Sequence, residues 1–96
     1  MGQLPLYFEI YEPLLEQQAT EVFMHLRVTN LKTGSLVLDS GLMSTADWIM
    51  SGSPVIPVGF GLGTQNLDKG DYQLEIQASD VAGRESARRH VNFTID

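Results

Sequence analysis

Hydrophobic and polar residues alternate with a period of two along most of the chain, the period of a strand with one face buried. Leu4, Leu6, Phe8 and Ile10 alternate with Pro5, Tyr7, Glu9 and Tyr11. Val22, Met24, Leu26 and Val28 alternate with Phe23, His25, Arg27 and Thr29. Tyr72, Leu74, Ile76 and Ala78 do the same, as do Val91, Phe93 and Ile95. One apolar and one mostly polar face per run is the signature of antiparallel sheets that cover a core on one side.

The punctuation between runs agrees. Asn30-Leu31-Lys32-Thr33-Gly34 and Asp80-Val81-Ala82-Gly83 read as hairpin turns, each ending in a glycine that supplies positive φ. Asp68-Lys69-Gly70-Asp71 reads as a third turn. Pro13–Ala19 reads either as one helical turn with proline at its first position or as a loop. Ser44–Met50 reads as a short helix or irregular crossover behind a capping-box pattern, with a weak strand near 46–50. Pro54–Leu62, rich in proline and glycine, reads as an edge or bulged strand. The expected strands are 4–11, 20–29, 34–39, 46–50, 54–61, 71–79 and 86–95. Seven short strands in about 100 residues predict an all-β, seven-stranded antiparallel sandwich of immunoglobulin-like or fibronectin III-like type. The expected core is Leu6, Phe8, Ile10, Val22, Met24, Leu26, Val28, Leu36, Leu38, Tyr72, Leu74, Ile76, Val91, Phe93 and Ile95.

Ninety-six residues suit one domain, 1–96, with a modest core. Twelve acids against six Lys and Arg leave a net charge of -6, which disfavours nucleic acid. No apolar run reaches the ~18 residues of a membrane helix. Cysteine is absent, which excludes disulfides, thiolate metal sites and cysteine catalysis. Both ends lie close to strand-like runs, the expectation for a module taken from a longer protein, with neighbouring domains as its first partners.

Leu67-Asp68-Lys69-Gly70-Asp71-Tyr72-Gln73-Leu74 has the form L-x-x-G-x-Y-x-L and places Tyr72 as a tyrosine corner, ring on the core and hydroxyl on upstream backbone. Ala78-Ser79-Asp80-Val81-Ala82-Gly83 resembles the turn of bacterial immunoglobulin-like and fibronectin III-like modules. Together with Tyr7–Tyr11, Pro54–Val58, Gly70–Ile76 and Val91–Ile95, these motifs resemble the C-terminal sandwich region of bacterial von Willebrand factor A-related proteins of acidobacteria. The resemblance covers about two thirds of the chain. It implies a non-enzymatic structural or interaction module of an extracytoplasmic protein, in the periplasm, the envelope or secreted. It brings no catalytic residues and no cofactor. The chain departs from antibody-type domains in having no cysteine pair.

Candidate chemistry is sparse. His25 and His90 fall on solvent-facing positions, and no nucleophile elbow accompanies them. Gly59-Phe60-Gly61-Leu62-Gly63 lacks the lysine and the helix of a phosphate loop. No metal site is expected; calcium is a weak alternative through the turn aspartates Asp68 and Asp71, which have an ordinary use in bonding turn amides. Arg84, Arg88 and Arg89 read as partners for Glu75 and Glu21 across strands. The binding candidates are aromatic: Tyr7 and Tyr11 on one strand, Phe23 on the next, and Trp48 in the crossover. If the first two strands pair, their outward aromatics make a platform for a protein or a glycan. Otherwise the tyrosines are covered by a loop or a neighbouring domain, and Trp48 plugs the core.

Overall fold

A computed structural model describes residues 3–86 and 88–96. Among these, six strands form: β1 (Gln3–Tyr11), β2 (Val22–Asn30), β3 (Leu36–Ser44), β4 (Val55–Gly63), β5 (Gly70–Asp80) and β6 (Arg89–Ile95). Two short 3₁₀ helices, Pro13–Glu16 and Ala46–Trp48, carry the chain between layers. All pairings are antiparallel, in a two-stranded sheet β1-β4 and a four-stranded sheet ordered β3-β2-β5-β6.

The apolar rows of the two sheets face each other. Ile10 of β1 and Ile56 and Val58 of β4 pack with Val22, Met24 and Ala78, while Leu62 packs with Leu26, Val28, Tyr72 and Leu74. Tyr72 closes one end: its hydroxyl donates to the Asp68 carbonyl at 2.7 Å and its ring stacks on Phe93 at 5.6 Å.

Both predicted hairpin turns form. Asn30 O accepts from Gly34 N, and the Asn30 side chain accepts from the amides of Lys32 and Thr33. Asp80 O accepts from Gly83 N while Asp80 N donates to Arg84 O, and Gly34 and Gly83 take φ of 75° and 84°.

Three expectations need correction. The segment near 46–50 is a 3₁₀ turn, so six strands are found where seven were expected. A Thr45 hydroxyl bond to the Val22 carbonyl directs that turn across the end of the sandwich. β3, expected over 34–39, runs on to Ser44 through a bulge at Asp39-Ser40-Gly41. There the Ser40 hydroxyl accepts from Leu26 N at 2.9 Å, in place of a ladder carbonyl. Finally, Leu36 and Val91 are exposed, at 52% and 50%, whereas Ile56, Val58, Leu62 and Leu15 are buried and were not expected to be. For Val91 the reason is layer size: two strands cannot cover four, and Val91 lies beyond the small sheet, while Leu38, Met43, Phe93 and Ile95 of the outer strands still pack against the core. Leu36 is exposed because a register shift in β3 sets it opposite outward Thr29.

The overall dimensions show the same mismatch. The molecule measures 45 × 26 × 17 Å. Its accessible surface of 6157 Å² exceeds the roughly 5,500 Å² expected of a folded monomer of this mass.

Candidate binding groove and outward faces

The outer face of the small sheet carries Tyr7, Glu9 and Tyr11 from β1 opposite Gly59, Pro57 and Val55 from β4. Tyr7 and Tyr11 are each 69% exposed. The Tyr7 ring leans over its glycine partner, close enough that a Cβ on Gly59 would sit 3.8 Å from it. Its hydroxyl donates to Glu9 at 3.0 Å, and that bond to a carboxylate raises the phenol above its ordinary pKa.

Phe23 does not join them. β1 pairs with β4 and β2 with β3 and β5, so the outward aromatics of the first two strands lie on opposite surfaces and form no common platform. Phe23 is half-buried on the large sheet. Trp48 is half-buried too, tilted at 46° against Phe60 with centroids 6.3 Å apart, a plug over the core.

The turn aspartates are engaged locally. Asp71 accepts from the Thr94 hydroxyl at 2.7 Å, and the Asp68 carbonyl holds Tyr72. Among the described residues no group of three or more His, Asp or Glu side chains could hold a metal ion.

The outer face of the large sheet is a polar ladder, with both histidines on it. His25 contacts Asp39, and Arg27 reaches both Asp39 and Glu75, at 3.5 and 3.2 Å. Glu75 also meets His90 at 3.2 Å. The Gly41 amide and His25 hold Asp39 below the usual aspartate range. Burial alone would raise Glu75, but the bonds from His90 and Arg27 outweigh it and the net shift is downward. Arg84 does not serve this face, contrary to the pairing expected with Glu75 and Glu21.

The main concavity, about 410 Å³, opens between β1 and the β5–β6 side of the large sheet. Phe8, Ile10, Ile76 and Ala78 give it an apolar floor, and Arg89 stands at its β6 side. One end is closed by a charged clamp. Asp80 accepts from the amides of Ala82 and Arg84 through one oxygen and from the Arg84 guanidinium through the other, at 2.8–3.1 Å. Arg84 also reaches Glu12 at 2.8 Å, tying the β5–β6 turn to the end of β1.

The carboxylates of this clamp are driven apart. Burial, then hydrogen bonding to Asp80, raises Glu12, while the bond with Glu12 and those from Arg84 lower Asp80. Opposed carboxylates in a cleft can divide acid and base roles. Here, however, the acceptor oxygens of Asp80 are taken by the turn's amides and by Arg84, so the clamp's chemistry is to hold backbone. Asp80 and Arg84 are legible as a turn aspartate with an arginine four residues on. Glu12 is 72 residues from Arg84, and nothing local announces it.

Comparison with family models, with curated proteins and with solved structures found no match to this chain.

Proposed function

We propose that the protein is a non-enzymatic structural or interaction module, of the immunoglobulin-like or fibronectin III-like kind, serving a larger bacterial envelope or secreted protein. The observation that supports it is the Glu12–Arg84–Asp80 clamp: the buried charges of the main concavity are spent on fastening strands and a turn. The source and location rest on the sequence resemblance alone.

A second reading, a glycan- or protein-binding module, draws on the exposed Tyr7 and Tyr11, which offer flat rings beside a glycine-lined strand. Thermal unfolding with and without calcium, and against a panel of soluble glycans, separates the two. The expected result is one cooperative transition unmoved by calcium or glycan. A ligand at 100 times its Kd adds about 2.7 kcal/mol, several degrees for this size. A glycan shift lost in Tyr7→Ser/Tyr11→Ser would establish the second reading.

A further inference from the structure

The small sheet lacks a strand where its neighbour layer needs cover. β1 lies on the β5–β6 side, as the groove lining shows, and β4 lies toward β3 and Trp48. Among the described residues no strand lies beyond β1 over the Arg89–Val91 part of the inner row of β6. That row, set by pairing with Ile76, Leu74, Tyr72 and Gly70, is Arg89, Val91, Phe93 and Ile95, of which Phe93 and Ile95 pack against the core and Arg89 and Val91 are exposed. Val91 is half exposed in it, although its cross-strand partner Leu74 is fully buried.

Arg89 and Val91 lie alongside a strand edge that is unpaired among the described residues. In an antiparallel ladder a residue directs both backbone groups toward its partner strand or both away from it. Glu12 N donates to Pro54 O, which makes the even-numbered residues of β1 the ones bonded to β4. Pro57, with no N–H, accordingly stands opposite odd-numbered Glu9. The N–H and C=O of Tyr7, Glu9 and Tyr11 therefore point to the free edge, beside the groove. Two of the other edges are interrupted: Pro57 removes a donor from the outer edge of β4, and the Ser40–Gly41 bulge breaks up β3, whereas the outer edge of β6 carries neither device. Pro5 likewise blunts the far part of β1.

Arg89 adds a chemical preference. It occupies an inward position among apolar side chains, it is exposed, and it has no ion pair among the described residues.

Building on the interaction-module reading, we propose that this groove takes an extended segment of a partner protein as a third strand of the small sheet. The segment pairs with Tyr7, Glu9 and Tyr11 through its backbone. It lays apolar side chains over Phe8, Ile10 and Ile76 and places one carboxylate against Arg89. Main-chain bonds supply affinity in this mode, and the alternate side chains supply specificity.

The test is amide-resolved NMR of the full chain, titrated to millimolar with the peptide Thr-Val-Thr-Val-Thr-Glu-Thr-Val. The expected result is shifts and slowed exchange at the amides of Tyr7, Glu9 and Tyr11. Arg89→Glu should weaken binding about tenfold, the scale of one interfacial charge pair. Glu9→Pro removes an edge donor without touching the β4 ladder and should abolish binding. If that variant does not fold, Arg89→Glu, on an exposed side chain, decides alone. No response to the peptide, or Arg89→Glu binding as well as the parent, overturns the proposal. Shifts confined to β3 or to the outer tyrosine rings also overturn it, yet keep the module reading alive with a different surface. Concentration-dependent shifts of the same amides without peptide would replace the partner segment by a second copy of the chain.

Discussion

Glu12 and Asp80 lie within reach of one guanidinium, yet their environments pull them in opposite directions. Asp80 collects donors from two amides and Arg84, which favour its charged form. Glu12 has burial against it and shares a hydrogen bond with Asp80, which favours its protonated form. The consequences for stability have opposite signs. Asp39, Glu75 and Asp80, all lowered by folding, contribute stability that is present above the ordinary carboxylate range and lost as pH falls through their folded values. Glu12, raised by folding, contributes stability that is present below the ordinary glutamate value of about 4.3 and lost as pH rises through its folded value. Glu12→Gln mimics the protonated form at every pH. Its stability relative to the parent should therefore climb as pH rises above about 4.3 and then level off. Urea unfolding from pH 3.5 to 7.5 measures this, and a difference independent of pH would contradict the raised Glu12.

At the scale of the element, the bulge in β3 shows how a strand continues past the point where its alternation breaks. Asp39 accepts from the Gly41 amide, Ser40 substitutes for a ladder carbonyl, and Gly41 takes φ of 66°. Pairing with β2 resumes on both sides, with Arg27 opposite Asp39 and His25 opposite Leu42. A Cβ on Gly41 would meet nothing within 4 Å, so Gly41→Ala isolates the backbone cost, about 1–2 kcal/mol. Gly59→Ala is the control, since its φ is not positive and the added Cβ makes an ordinary contact with Tyr7. It should cost nothing and add up to about 1 kcal/mol through the unfolded state. Chemical denaturation of the two variants checks the contrast, and equal effects would mean the bulge does not form.

Across the whole molecule, stability follows layer coverage. Leu74 and Val91 face each other on neighbouring strands with their side chains on the same inner face. Leu74 lies under the small sheet and Val91 beyond its edge. Leu74→Ala should cost about 3 kcal/mol and Val91→Ala less than about 1 kcal/mol, read from unfolding midpoints. Comparable losses would mean that β6 is covered after all. Phe93, half-buried but stacked on Tyr72, should fall between them.

Local chemistry in the sequence was enough to place six of the seven expected strands, both hairpin turns and the tyrosine corner, but not the extent of β3 or the 3₁₀ turn at 46–48. Period-two alternation, Asx-type turn residues and glycines at positive φ act within a few residues and do not depend on distant contacts. The same reasoning placed His25 and His90 on a solvent-facing side, because parity along a strand is a local property. Partnership between strands was decided only by the tertiary structure. Which strand lies beside β1 depends on how two apolar faces close over each other, and alternation is equally satisfied by either neighbour. That choice separated Phe23 from Tyr7 and Tyr11, turned Trp48 onto Phe60, and brought Glu12 to Arg84 across most of the chain. It also left Val91 uncovered, because burial is a property of the opposing layer, and the alternation of Val91, Phe93 and Ile95 carries no information about how many strands that layer contains.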